Sequence, residues 1–235
     1  MPRNFLLRAL SREGREQVLM RCDSVSLSQG DLLGDAGQPM SHVYFVESGI
    51  LSVLFQLPDR ELEVGICGRE GFTGVPVVLG AAQTPFQIIV QSPAATVLRI
   101  SSDVLRAALG PREEDMTVLR RYCFAFLTQV AANARAAACF TLEQRLARWI
   151  LMAHDRTDGD VIHLSHQFLA EMLGVRRAGV TVATHVLEGS GYISASRMTI
   201  QVRNRDGLLG VAGSSYGLAE AEYERLIGCA PRLAA

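Results

Sequence analysis

The sequence predicts an α+β chain with an N-terminal antiparallel β-roll of jelly-roll type, one long helix and a C-terminal winged helix-turn-helix. Three observations carry this. Through the first 110 residues, short apolar runs alternate with glycine-bearing turns. Residues 112–138 then hold neither glycine nor proline. Lastly, Ser165 to Gly191 reads as two short amphipathic helices about a glycine, followed by two short strands.

Taken in order, a short helix is predicted over Phe5 to Met20. Strands follow at Ser41–Val46, Ile50–Phe55, Leu62–Ile66, Phe86–Gln91 and Thr96–Ile100. Turn residues separate them, at Gly30, Gly34, Gly37, Ser48-Gly49, Pro58-Asp59, Gly68, Gly71, Gly74 and Gly80. Many short strands at near-regular spacing make a sandwich or roll, closing at Gly110-Pro111, so residues 1–110 form the first domain. The long helix occupies 111–138. Along it Met116, Leu119, Cys123, Phe126, Val130, Asn133 and Ala137 keep 3,4 spacing over three heptads, with a single polar member that fixes register. Such a seam predicts self-association; the alternative is that the helix packs on its own β-domain, and a helix this long has faces for both.

Thr141-Leu-Glu-Gln144 has the form of a capping box and restarts a helix through Met152, making Ala138 to Phe140 the predicted hinge and 139–235 the second domain. Strand candidates follow at Val161–Leu164, Ile193 and Met198–Val202. Between them, Ser165 caps a helix whose inward face is Phe168, Leu169 and Leu173, and Gly174 permits the bend. The next helix turns Val180, Ala183, Thr184 and Leu187 inward. That leaves Arg177, Ala178, Thr181, Val182 and His185 outward, with Arg176 at its start. The tail from Asp206 to Ala235 includes a helix near Leu218 to Ile227.

The chemistry of that outward face suits DNA. Two arginines at a helix N-terminus meet a phosphate where backbone donors already favour one. An arginine fork takes guanine O6 and N7 together, whereas Ala178 and Val182 offer only methyl contact to thymine. Thr181 and His185 are suited to hydrogen-bond the backbone, and Arg197 stands at the tip of the predicted wing. The bland reading is that paired arginines are solvated surface and that the motif binds protein.

Composition narrows the classes. With 235 residues the chain is long enough for two cores, and 49% hydrophobic with 20% charged residues is globular composition. Formal charge is −1 and all 23 cations are arginine, so a nucleic-acid site rests on local placement. Apolar runs are too short for a membrane span, and Met1 to Leu10 carries two arginines, which predicts a cytoplasmic protein without a signal peptide. Cys22, Cys67, Cys123, Cys139 and Cys229 are too far apart for a zinc clip and odd in number, so reduced thiols and no metal are expected. No Ser-His-Asp pattern or phosphate-cradling loop appears, and an enzyme is not predicted.

The chain resembles the Crp/Fnr family of bacterial transcription regulators over roughly residues 1 to 205. The carrying segments are His42-Val-Tyr-Phe-Val-Glu-Ser-Gly49, Val64-Gly-Ile-Cys-Gly-Arg-Glu-Gly71, Glu143-Gln-Arg-Leu-Ala-Arg-Trp-Ile-Leu-Met-Ala-His154 and Phe168-Leu-Ala-Glu-Met-Leu-Gly-Val-Arg-Arg177. The last two are the specific ones. The resemblance implies a cyclic-nucleotide-binding-like sensor, a dimerising helix, a pseudo-palindromic DNA operator, RNA polymerase as a partner and a small-molecule or redox signal.

Departures from the family pattern bear on that signal. Where cyclic-AMP-responsive members place a ribose-holding Glu after the glycine, Gly74 is followed by Val75. Where a phosphate-pairing Arg is expected, the chain reads Thr84-Pro-Phe-Gln87, and the adenine-reading Thr-Ser pair falls at Val130-Ala131. Cyclic AMP bound in the usual way is therefore not expected. Cys22 alone cannot hold an iron–sulfur cluster, His42 is the sole β-roll histidine for a haem, and Cys67 reads as a buried strand thiol. No cofactor is predicted. The effector is unknown, and a regulator without one, or a module with a protein-contact output, stays open.

Overall fold

The computed structural model describes residues 1–58 and 61–229. Asp59 of one predicted turn and the end of the tail lie outside them. The chain begins with α1 (Phe5–Ala9) and α2 (Arg12–Leu19), where the sequence predicts one helix. The break comes from Ser11, whose hydroxyl accepts from the Gly14 N–H and so caps α2. The same serine donates from N and Oγ to buried Asp115 at 2.7 and 2.9 Å, which fixes the kink.

The β-roll follows as β1 (Asp23–Ser28), β2 (Leu32–Gly34), β3 (His42–Ser48), β4 (Leu51–Gln56) and β5 (Glu61–Cys67), then α3 (Val75–Val78), β6 (Phe86–Val90) and β7 (Ala94–Ser101). Two antiparallel sheets form, in the orders β1-β7-β3 and β2-β6-β4-β5. The five predicted strands are present. β1 and β2 are additional; β1, Asp-Ser-Val-Ser-Leu-Ser, is largely exposed and so lacks the apolar signal of a core strand. Gly49 makes the β3–β4 turn at φ +87, and a Cβ there would lie 2.7 Å from the Ala94 carbonyl oxygen.

α4 (Ser102–Leu109) leads into α5 (Glu113–Cys139), the predicted long helix. The predicted seam is corrected, because much of it faces the chain's own β-roll. Leu119 and Cys123 are buried, Met116 and Phe126 pack on the roll's core, and the Asn133 side-chain amide donates to the Val64 carbonyl at 2.9 Å. Apolar spacing alone cannot tell which of two partners a helix face meets. Exposed instead are Phe124, Leu127, Ala131, Ala134 and Ala138, themselves spaced 3,4,3,4.

After Phe140, α6 (Leu142–His154) starts on the predicted capping box, with both Thr141–Gln144 hydrogen bonds made. From Leu146 to His154 every residue is buried, which makes α6 the core of the second domain. There follow β8 (Val161–His163), α7 (His166–Leu173), α8 (Arg177–Gly189), β9 (Ile193–Ala195), β10 (Thr199–Val202), α9 (Arg205–Ala212) and α10 (Leu218–Ile227).

The two halves are not independent. Ile50, Leu54 and Ile66 of the β-roll belong to the core built on α6, and Tyr223 of α10 belongs to the core of the β-roll. Polar contacts cross the same boundary. Trp149 donates to Glu63 at 2.8 Å, Arg156 pairs with Glu70 at 2.7 Å with both side chains buried, and the Tyr223 hydroxyl donates to the Glu70 carbonyl at 2.7 Å.

Candidate nucleic-acid interface

Ser165 caps α7 by accepting from the Phe168 N–H at 3.1 Å. Gly174 ends the helix at φ 64, ψ 36, a left-handed conformation natural to glycine, while the Val175 N–H returns to the Ala170 carbonyl. Leu169 and Leu173 are buried and Phe168 partly so; on α8, Val180, Ala183, Thr184 and Leu187 are buried. Both inward faces are those the sequence predicts.

The outward face of α8 is laid out accordingly. Arg176 is its N-cap residue and Arg177 its first helical residue; no side chain caps the helix, and both arginines are exposed. Neither arginine, nor Arg197, makes an ion pair among the described residues. Ala178 is exposed, Val182 is 61% exposed, and His185 is exposed with Nδ1 3.8 Å from Glu188. Thr181 differs: it is half-buried, its hydroxyl donates to the Arg177 carbonyl at 3.2 Å, and His166 Nδ1 lies 3.2 Å away. Burial, then the nearby Arg177 and His185 charges, hold the His166 ring below the usual histidine range.

The predicted wing is β9 and β10, with Arg197 and Met198 exposed at its turn. It is a three-stranded sheet, ordered β8-β10-β9, because Val161–His163 pairs with β10 across the start of the helix pair. Three exposed residues near this face escaped the sequence reading: Val186, one turn beyond Val182, Met198, and Arg203 just after β10. Val186 follows Val182 at i+4, which is the signal that would have found it.

Inside the β-roll, aromatic side chains pack closely against one another and against α5. Phe72 stacks on Phe45 with centroids 5.1 Å apart and leans on Tyr122 of α5 at 5.4 Å. A Cβ on Gly71 would lie 2.1 Å from the Tyr122 hydroxyl, and one on Gly65 2.8 Å from the Phe126 ring. The gap left between Glu70, Tyr122, Gln129 and Arg156 is about 20 Å³, room for one water. Val75 opens α3 directly after Gly74 and presents no polar side chain. Cys67 is buried, and desolvation raises its thiol far above the reactive range. Among the described residues no group of His, Cys, Asp and Glu could hold a metal, and no helix is long and apolar enough to cross a membrane.

Two family models match the chain: a cyclic nucleotide-binding domain over residues 24–110 and a Crp-like helix-turn-helix domain over residues 144–211. No curated protein is a significant match by sequence. Among solved structures, FixK2 from Bradyrhizobium japonicum aligns with a TM-score of 0.70 at 19% identity, over 82% of this chain and 98% of its own. The c-di-GMP responsive global regulator CLP from Xanthomonas campestris gives 0.66 at 18%, over 82% and 99%. A CooA mutant from Carboxydothermus hydrogenoformans gives 0.64 at 16%, over 91% and 96%. At such identities the likeness is one of fold.

Proposed function

Because the chain belongs to the Crp/Fnr family of transcription regulators, we propose that it acts as a homodimer on a pseudo-palindromic DNA operator. The observation that carries this reading is α8 itself: one face buried, the other exposed and led, at an uncapped N-terminus, by two arginines that make no ion pair among the described residues. Arg177 reads a guanine and Arg176 and Arg197 bind phosphates. Ala178 and Val182 meet thymine methyl groups, and Thr181 and His185 reach the backbone. Residues 1–110 serve as sensor, 111–138 as the dimer helix and 139–235 as the DNA-binding unit, working in the cytoplasm with RNA polymerase as the further partner. The dimer forms through the Phe124, Leu127, Ala131, Ala134 and Ala138 face of α5, which the chain leaves uncovered.

The signal is not cyclic AMP in the usual mode; this reading rests on Val75, Thr84-Pro-Phe-Gln87 and Val130-Ala131 standing where the ribose, phosphate and adenine contacts are expected. Calorimetry with cyclic AMP is expected to give no dissociation constant below about 100 μM, roughly −5.5 kcal/mol.

Selection of bound DNA from a random pool, with and without cell extract, tests the whole reading. A two-fold symmetric site with half-sites about one helical turn apart is the expected product. Recovery of no preferred sequence under either condition would reject it.

A further inference from the structure

Away from the β-roll interior, a cavity of about 180 Å³ opens where β5, the last third of α5, α6 and α7 meet. Its apolar walls include Leu62, Val130, Ala137, Met172 and Leu173. An engineered cavity of roughly 150 Å³ holds a benzene, so this one has room for a ring and a small substituent.

The polar groups facing it are not balanced. Arg145 and Arg148, three residues apart on α6, both line the cavity, and neither makes an ion pair among the described residues. Each spends one guanidinium N–H on a backbone carbonyl, Arg145 on Leu173 and Arg148 on Ser215. Arg148 is only 5% exposed, and an arginine so buried is ordinarily paired. Desolvation pushes both guanidinium groups below the usual arginine range, in Arg148 against the attraction of the Glu220 and Glu63 carboxylates, whereas Arg145 has no such counterweight. Asn133 adds a second imbalance. Its amide nitrogen is held by the Val64 carbonyl, which fixes the flip, and its Oδ1 is buried with no donor among the described residues. Glu63 also lines the cavity, but its Oε1 is held by Trp149 and its Oε2 by Ser52. Burial pushes its carboxyl up to about 7, so it opposes an incoming anion less than an ordinary glutamate does.

The geometry points to this cavity as a binding site for a small apolar carboxylate that carries one hydrogen-bond donor. The carboxylate meets Arg145 and Arg148, the donor meets Asn133 Oδ1, and the apolar body lies among Leu62, Met172 and Leu173. Such a ligand touches the sensor sheet, the long helix and the helix-turn-helix together. It therefore binds where the two halves of the chain are joined.

Mandelate, an aromatic α-hydroxy acid, has all three features; phenylacetate lacks the hydroxyl and benzyl alcohol lacks the carboxylate. Calorimetry of the full chain with each, without DNA, is the test. Mandelate is expected to bind saturably below 1 mM, phenylacetate at least fivefold more weakly and benzyl alcohol at least tenfold more weakly. Arg145→Gln, checked for fold by its thermal midpoint, should weaken mandelate about tenfold and leave benzyl alcohol unchanged. Asn133→Leu should abolish the preference for mandelate over phenylacetate. No saturable heat with either acid up to 5 mM overturns the proposal. So does benzyl alcohol binding as tightly as mandelate, or a loss under threefold in Arg145→Gln. Because DNA is absent from these titrations, their failure is separate from any failure of operator binding.

Discussion

Arg176 and Arg177 are sequence neighbours and both exposed, yet one is the N-cap of α8 and the other its first helical residue. That difference separates their expected effects. Arg177→Ala should lower specific DNA binding by about 1–3 kcal/mol and relax preference at one base pair per half-site. Arg176→Ala should weaken specific and non-specific DNA alike and reduce the salt slope by about one unit per subunit. Titrations at several salt concentrations against single-base variants read both, and equal, sequence-independent losses would show that Arg177 reads no base. Glu63 makes a second residue-scale case. Desolvation pushes its carboxyl up to about 7, against the hydrogen bonds of Ser52 and Trp149 and the charges of Arg156 and Arg148. The folded chain therefore binds that proton more tightly than the unfolded one. The contribution to stability is full below about pH 4.5 and is lost as the pH rises through 7. Between pH 5 and pH 8, the stability of Glu63→Gln relative to the parent should rise by about 1–3 kcal/mol. Denaturant unfolding at both pH values checks it; a pH-independent difference would show that Glu63 is ionised throughout.

At the scale of elements, helix ends position the recognition face more directly than helix interiors do. Thr141 and Gln144 make a reciprocal capping box, and Ser165 caps α7, as local sequence dictates. Gly174 then sets the angle between α7 and α8 from a left-handed conformation, where any Cβ is strained; one would also lie 3.3 Å from Leu62 of β5. Gly174→Ala is expected to destabilise the chain by about 1–2 kcal/mol and to weaken DNA binding beyond what the lost folded fraction explains. Thermal unfolding beside DNA titration separates the two, and an unchanged affinity would show that the turn tolerates the new angle.

At the scale of the whole molecule, the long helix has one apolar face covered by the chain and another left exposed. One face, through Leu119, Cys123, Phe126 and Asn133, is used by the chain's own β-roll, and a neighbouring one, roughly 100° round the helix, bears Phe124 and Leu127 at 52% and 59% exposure. Replacing Phe124 and Leu127 together by Asp should leave the fold intact and yield a monomer by sedimentation at micromolar concentration. A dimer persisting in that variant would place the interface elsewhere. The C-terminal helix α10 closes the molecule from the other end, returning Tyr223 to the β-roll core, edge-on to Tyr122 at 6.4 Å. Tyr223→Ala is expected to cost about 3 kcal/mol, since it removes a buried ring and the hydroxyl that satisfies the Glu70 carbonyl. Urea unfolding measures this, and a loss under about 1 kcal/mol would mean that α10 is only loosely held.

What the sequence by itself determined about this protein is what local rules govern. Gly and Pro punctuation placed five of the seven β-roll strands and the long helix, 3.6-residue periodicity assigned the inward faces of α7 and α8, and cap residues marked where α6 and α7 begin. The exposure of Arg177, Ala178, Val182 and His185 was legible for the same reason, because a residue off the apolar face of a short helix tends to meet solvent, whereas the half-buried Thr181 departs from it. Only the tertiary structure decided which apolar face of α5 is spent within the chain, since Leu119 and Leu127 are alike in sequence and differ in what lies across from them. It also decided that aromatic rings fill the β-roll and that Tyr223 crosses back to it. The cavity between β5 and α6 was decided there too. These depend on contacts between residues as far apart as Glu63 and Trp149, or Glu70 and Tyr223, and no local pattern encodes a contact of that range.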